Sequence, residues 1–422
     1  METIRRLRGF RDIIGEEIEK FRKIEEVSRK YLSLLGYKEI KIPILERTEL
    51  FVRSIGEATD IVRKEMFSFT DLSGDSVTLR PEATAGMVRA YIEGGFFNKE
   101  RITRIFTIGS MFRHERPQKG RFREFNQIDV EVFGSSSPFV DAELIWLISL
   151  IVRDLKVQNF QIEVNTVGCP DCRKRFRDLF SRFIASKTEL LCSDCKERAM
   201  RNPLRIFDCK KETCLSVTDD APLLFDVLCE QCIKHFEMFL RYVEGFKVQV
   251  KHKKRLVRGL DYYTRTVFEV TSSDLGAQNA FIAGGRYDNL VKDMGGPDVP
   301  GIGFAIGLDR LSLIIPLDKS RNAPRVFVAT IGEAARENLS RVLEYLVLRN
   351  IAVYYEPEQR SLKSQMRHAD SLNVDLVLII GEEEIKKGIV LVKDMKRGTQ
   401  KSYPINLEGL VNDILEGSID FK

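Results

Sequence analysis

Two kinds of side chain fall where a reaction could use them. From Phe125 to Phe133 an extended segment alternates its faces. Phe125, Gln127, Asp129, Glu131 and Phe133 point one way, and Asn126, Ile128, Val130 and Val132 the other. The second face is mainly apolar and packs; the first sets an amide and two carboxylates in a row. Arg113 ends the preceding strand, and the connection His114–Arg123 holds four cationic residues and one acid. Such a loop, hung over a polar sheet face, suits a phosphate-bearing ligand. Farther on comes Gly301-Ile302-Gly303-Phe304-Ala305-Ile306-Gly307-Leu308-Asp309-Arg310. Its glycines are expected to let a flat ligand approach the backbone, with Arg310 opening a helix. The pattern misses the dinucleotide fingerprint by one residue and has no βαβ unit around it, which excludes a nicotinamide site.

The eight cysteines all lie in the 64 residues from Cys169 to Cys232. They form four pairs, Cys169/Cys172, Cys192/Cys195, Cys209/Cys214 and Cys229/Cys232. Three are Cys-x-x-Cys, the spacing that lets two thiolates converge on one tetrahedral zinc. Two zinc sites, one site with spare thiols, and inert buried thiols on one helix face all satisfy that spacing. A reducing cytoplasm disfavours disulfides. No residue is assigned here as a metal ligand.

Phe112-Arg113-His114-Glu115, the basic loop and the strand to Glu131 resemble motif 2 of the class II aminoacyl-tRNA synthetases. Gly301–Arg310 resembles motif 3, and Pro43, after a long helix, fits motif 1. Arg258-Gly259-Leu260-Asp261-Tyr262-Tyr263-Thr264 and Gly284-Gly285-Arg286-Tyr287-Asp288 resemble the two signatures of the histidyl-tRNA synthetase family. The likeness covers nearly the whole chain. It implies ATP-dependent attachment of L-histidine to tRNA(His) through a histidyl-adenylate, with Mg²⁺ accompanying ATP, in a homodimer. The implied catalytic residues are Arg258 and Arg113. The implied histidine set is Glu82, Ala83, Thr84, Arg113, Gln127, Glu131, Arg258, Tyr262 and Tyr263. Arg113, Arg310 and Arg121 would hold ATP, and Arg116, Gln118 and Lys119 the tRNA acceptor end. Two positions depart from the family pattern: Ala83, where many members have Gly, and Asn126, where many have His. The rival reading is a histidine-sensing regulatory subunit of ATP phosphoribosyltransferase. Such subunits typically lack the C-terminal domain and carry a degraded first signature, whereas both are intact here. A zinc-dependent nucleic-acid module would explain the cysteines and leave the arginines without a role.

The elements that must position these residues can be read from periodicity. Ile18, Phe21, Ile24 and Val27 mark a helix over 15–35, and a second apolar helix is expected over 138–154. Pro43 sits in a hydrophobic extended stretch, 40–45; strands are expected on both sides of the basic loop between 101 and 133, and at 159–165, 264–271 and 277–283. A strand-to-helix unit follows at 301–315. The fold class expected is α+β: an antiparallel-sheet catalytic domain over 1–323 with a mostly helical, Cys-rich insertion at about 166–245. Residues 316–324 read as a linker. Residues 324–422 then form an α/β anticodon-binding domain, with strands at 326–331, 351–355 and 375–381 and helices at 333–349 and 362–372. They hold 14 basic and 15 acidic residues, whereas the preceding 323 carry a net +6. Recognition by the C-terminal part therefore depends on local hydrogen bonds and stacking more than on bulk charge. The whole chain of 422 residues is 43% apolar and 31% charged with a net charge of +5, a folded and not a disordered composition. No apolar run approaches the about 20 residues of a membrane helix. Nor does an apolar stretch follow the basic N-terminus, so a cytoplasmic location is expected.

Overall fold

The alternating segment lies at the middle of an eight-stranded sheet. A computed structural model describes residues 3–57, 59–201, 203–209, 211–276, 279–316 and 325–416. The chain divides into two compact units, Met1–Leu317 and Asp318–Lys422. The expected linker lies outside the described residues, apart from Pro316.

In the first unit the strands lie in the order Lys38–Glu39, Thr103–Phe112, Glu124–Phe133, Gly301–Gly307, Ala280–Arg286, Thr264–Ser272, Phe160–Thr166 and Lys251–His252. The six central strands pair antiparallel, and the two short edge strands pair parallel. Helices Glu16–Leu34, Pro138–Asp154 and Glu230–Gly245 pack on the apolar face: Phe21, Ile24, Leu144, Ile148 and Phe239 join Ile128, Val130 and Val132 in one core. Burying each such side chain stabilises the fold by about 1.5–3 kcal/mol. The helix at 138 starts where its residues dictate. Ser137 accepts the Phe139 N–H at 3.2 Å, and Pro138 occupies the first helical position, where no N–H is needed.

The extended stretch at 40–45 runs between two sheets. Lys38–Glu39 joins the large sheet, whereas Leu45–Arg47 joins a separate three-stranded sheet with Ser76–Leu79 and Phe67–Thr70. Pro43 lies between them and has no N–H for a ladder. Arg80 holds the gap closed, donating to the carbonyl oxygens of Ile42 at 3.0 Å and Pro43 at 3.4 Å. The strand expected at 277–283 is seen at Ala280–Arg286; residues 277 and 278 lie outside the described set.

Between Thr166 and Lys251 the described elements are helices, and they do not share one core. Helices Pro170–Ile184, Ser193–Arg201 and Glu212–Val217 share a small core of their own around Phe176, Phe180, Ile206 and Val217. Helix Glu230–Gly245 instead sends Phe236, Phe239 and Val243 into the main core.

In the second unit Val353–Tyr355, Val326–Thr330 and Leu376–Ile380 pair parallel, with helices between them. Two antiparallel strands, Ile389–Asp394 and Gln400–Pro404, extend the sheet, and helix Glu408–Glu416 follows. Neither strand was expected from the sequence. Gln400–Pro404 buries only Tyr403, which leaves little alternation to read.

Candidate active site

Strand register builds the floor of a cavity of about 550 Å³. Gly303 stands opposite Glu131 on the neighbouring strand. A Cβ on Gly303 would lie 1.6 Å from Glu131 Oε2, so only glycine leaves that carboxylate its place. Gly301 likewise yields to the Tyr287 ring, 2.3 Å from where its Cβ would be. Two of the three motif glycines thus make room for protein side chains, not for the ligand expected from sequence. Gly307 alone has open space, its nearest neighbour being Phe281 O at 3.6 Å.

Six carboxylates line the cavity; Glu115, Glu269 and Asp309 are paired with arginines, and the other three are Glu82, Asp129 and Glu131. Glu131 accepts from Thr84 Oγ1 at 2.7 Å and from the Tyr287 hydroxyl. Glu82 accepts the Thr84 and Ala85 N–H groups at 2.9 and 2.8 Å, which fixes it at the start of helix Thr84–Glu93. Burial pushes the Asp129 and Glu131 carboxyls up to about 8, and each also feels Glu82; Glu131 is pulled back in part by its two hydroxyl partners. Burial raises Glu82 as well. Asp129 Oδ2 and Gln127 Oε1 are buried and meet no hydrogen-bond donor among the described residues. This group of acids and acceptors is set to receive a ligand's N–H donors. The rings of Tyr262 and Tyr263, 4.7 Å apart, line the same space, and Tyr287 meets Tyr262 edge-on at 5.6 Å.

Five arginines also line it: Arg198, from the insertion, and Arg113, Arg121, Arg258 and Arg310. Arg113 donates from Nε to Pro81 O at 2.8 Å and lies over the Phe125 ring. Arg121 pairs with Glu115 at 3.0 Å, and Arg258 with Glu269. Arg310 donates to Ala280 O at 2.5 Å, from a helix that Asp309 ties to the sheet by accepting the Asn126 N–H at 2.7 Å. Burial first, and then the neighbouring Arg121, make the Arg310 charge harder to hold than usual. Acids that resist ionising and cations that repel one another share one cavity. A ligand carrying an ammonium and phosphates relieves both.

Ten of the residues singled out from sequence therefore line one space: Glu82, Thr84, Arg113, Arg121, Gln127, Glu131, Arg258, Tyr262, Tyr263 and Arg310. Ala83 does not. It is buried in an apolar cluster with Met87 and Tyr91, beneath the wall. Arg116, Gln118 and Lys119 are exposed on the hairpin beyond Arg113 and take no part in the lining. Sequence reasoning set Asp129 on the polar face without giving it a role, and it missed Tyr287 as partner of Glu131, Glu269 as partner of Arg258, and Arg198, which reaches the cavity from the insertion. Tyr287 lay within a signature already noted; the others need the strand register or the tertiary path to be seen.

The family model described as histidyl-tRNA synthetase matches residues 9–172 and 212–311, and the one described as anticodon binding domain matches 325–416. A histidine–tRNA ligase of Thermodesulfovibrio yellowstonii is 47% identical over 406 residues, 95% of this chain and 96% of that one. One of Desulfatibacillum aliphaticivorans is 44% identical over 97% of this chain and 98% of its own. The crystal structure of an apo histidyl-tRNA synthetase of S. aureus superposes with a TM-score of 0.80 at 30% identity, covering 98% of this chain and 100% of that one. These relatives do not favour the regulatory-subunit alternative. Family model, near-full-length relatives and fold agree with the cavity's residues: the chain belongs to the histidyl-tRNA synthetase family.

Proposed function

We propose that this chain activates L-histidine with ATP and transfers it to tRNA(His), and that the cavity described above is where both steps occur. One observation carries the reading: a buried acid-and-acceptor group and a set of arginines line one space. In the first step the histidine carboxylate attacks the ATP α-phosphorus. The bond to the β-phosphate oxygen breaks, and pyrophosphate leaves. Two anions must meet, so fixed positive charge lowers the barrier. Arg113 and Arg258 supply it at the α-phosphate, and Arg310 and Arg121 hold the remaining phosphates and the adenine. No general base is required, because the attacking carboxylate is already ionised at neutral pH. In the second step a ribose hydroxyl at the tRNA end attacks the acyl carbon and AMP leaves. Arg116, Gln118 and Lys119, exposed on their hairpin, meet the acceptor end.

Histidine is selected by pairing both imidazole nitrogens, one with Glu131 and one with the Tyr263 hydroxyl, with Tyr262 along the ring. Glu82, Thr84 and Gln127 take its ammonium group. Among the described residues the only groups of three or more metal-ligating side chains are cysteines. Mg²⁺ would enter with ATP and neutralise part of the phosphate charge. The second unit binds the anticodon arm, and the protein works as a homodimer.

Histidine-dependent exchange of pyrophosphate into ATP tests the first step, and charging of tRNA(His) the second. The lining residues named above all belong to the first unit, so deletion of 324–422 is expected to leave exchange and to impair charging strongly. Loss of exchange in a truncated protein that remains folded and dimeric would defeat this modular reading.

A further inference from the structure

The eight cysteines come together as two separate quartets. Cys169, Cys172, Cys229 and Cys232 form one, and Cys192, Cys195, Cys209 and Cys214 the other. In each, all four sulfur atoms lie within 4.8 Å of one another. None of the eight is in a disulfide; Cys169 and Cys172 Sγ are 3.5 Å apart, against about 2.05 Å for a covalent pair. A zinc ion at about 2.3 Å from four sulfurs in a tetrahedron sets them about 3.8 Å apart. The observed groups fit a single ion in each cage. A polynuclear iron–sulfur cluster holds its cysteines farther apart, because several metal atoms stand between them.

We propose that each quartet binds one structural Zn²⁺, so that the chain carries two Zn(Cys)₄ centres. Each thiol gives up its proton on binding, and the four thiolates leave each centre with a net charge of −2. The chain around the outer quartet is shaped for that charge. Cys169 and Cys229 each stand just before a helix, Pro170–Ile184 and Glu230–Gly245, and Cys172 and Cys232 occupy the third position of the same helices. Two helix N-termini thus face one set of sulfurs. The Cys229 N–H points at Cys172 Sγ at 3.1 Å and Arg175 Nη2 at the same sulfur at 3.5 Å. In the inner quartet the Cys192 N–H points at Cys214 Sγ at 3.3 Å. Such N–H···S contacts orient and tune thiolate ligands. Gly168, at φ +63°, makes the approach possible, since a Cβ there would lie 2.6 Å from Cys172 Cβ.

The two centres have different mechanical roles. The outer one joins the entry of the insertion, directly after strand Phe160–Thr166, to its exit at the helix that returns to the main core. The inner one crosslinks a body whose apolar cluster is small and includes Cys195, Cys209 and Cys214 themselves. A core of this size rarely holds such a segment alone. The insertion in turn reaches the cavity. Arg173 donates to Asp261 O at 3.1 Å in the first signature, and Arg198, which lines the cavity, and Arg205 reach Asp60 Oδ2 at 3.2 and 3.3 Å. Zinc therefore positions the insertion's arginines without touching substrate.

The test uses the full chain, purified under reducing conditions without chelator. Elemental analysis is expected to give two zinc per chain, released as a mercurial titrates the thiols. Cobalt(II) in place of zinc is expected to give the intense ligand-field bands and sulfur-to-metal charge transfer of tetrahedral S₄ sites. Cys209→Ser and Cys229→Ser should each lower the zinc content from two to one. Metal removal should abolish hydrogen-exchange protection over 170–228 while residues 124–133 keep theirs. One outcome overturns the proposal in full: less than a tenth of a zinc per chain, with all eight thiols freely reactive or paired as disulfides. Iron in place of zinc, or one zinc that survives both substitutions, overturns it as well.

Discussion

The acids and the arginines of the cavity are held in different ways. Asp129 and Glu131 stand on a central strand of the sheet, flanked by Thr103–Phe112 and Gly301–Gly307, and Glu82 caps a helix with both of its oxygens. Shifting the register by one residue would turn the two strand acids into the apolar core. The arginines start from less regular places. Arg113 follows a strand end, Arg121 sits on a hairpin, Arg258 precedes a strand, and Arg310 lies in a four-residue helix. Each is steadied by a backbone carbonyl or one carboxylate. On the function proposed above, the acid end would take the amino acid and the arginine end the phosphates.

The difference implies distinct failures. At the arginine end, Arg258→Ala should lower histidine-dependent pyrophosphate exchange by about 10²–10³-fold, the loss typical of one group that stabilises developing charge. Its melting temperature should stay near wild type. An exchange rate close to wild type would show that Arg258 takes no part in the chemistry.

At the acid end, Glu131→Gln and Tyr263→Phe each remove a partner of a buried nitrogen, worth about 1–3 kcal/mol. The KM for histidine should rise roughly ten- to a hundredfold, with the KM for ATP little changed, since 1.4 kcal/mol is about a factor of ten. A larger effect on ATP than on histidine would erase the division between the two ends.

Two glycines of one motif sharpen the contrast. Gly303→Ala should destabilise the fold by about 1–3 kcal/mol and weaken histidine binding, because its methyl collides with Glu131 and with Val130 O. Gly307→Ala has room and should leave stability unchanged, while a ligand lying over it would raise the KM for ATP. Equal melting temperatures for the two variants would contradict the role given to Gly303.

The smallest expected effect is on pH dependence. Asp129 and Glu131 keep their protons up to about 8 in the folded chain, against ordinary values of 3.8 and 4.5. Between those limits the folded state binds more protons than the unfolded one, so stability falls as pH rises. The contribution is complete below about pH 4 and gone once pH passes about 8. The melting temperature of the ligand-free protein should therefore drop by a few degrees from about pH 6 to about pH 9, less so in Asp129→Asn. Histidine supplies donors to the same acids and should flatten the slope. A melting temperature that climbs over that range would refute the assignment.

Much of the acid end could be read from sequence, because a period of two is visible in nine residues and a buried face needs it. The arginine end was not legible in that way. Its residues are scattered from Arg113 to Arg310, and only the family resemblance joined them. Nothing in the sequence pairs Gly303 with Glu131, or Tyr287 with Glu131, because register is set by partners far away in the chain. The same reason hid Arg286, which is fully buried with Asp141 and bonds the Ser135 and Ser137 carbonyls. Pro43 was read as lying in one extended stretch, and the structure runs that stretch between two sheets. A pattern of apolar residues cannot say which of two sheets each half will join.

The cysteine pairing is nested, and nesting orders events in time. Chain growth delivers Cys214, the last member of the inner quartet, before Cys229 and Cys232 exist. The inner group closes a short span, from 192 to 214, at an entropic cost that grows only with the logarithm of length. The outer group must bridge 169 to 232, a span already shortened once the inner group has closed. At about 5–20 residues per second, the ribosome separates the two completions by a second or a few. During that interval the inner quartet is complete, and of the outer one only Cys169 and Cys172 have been made.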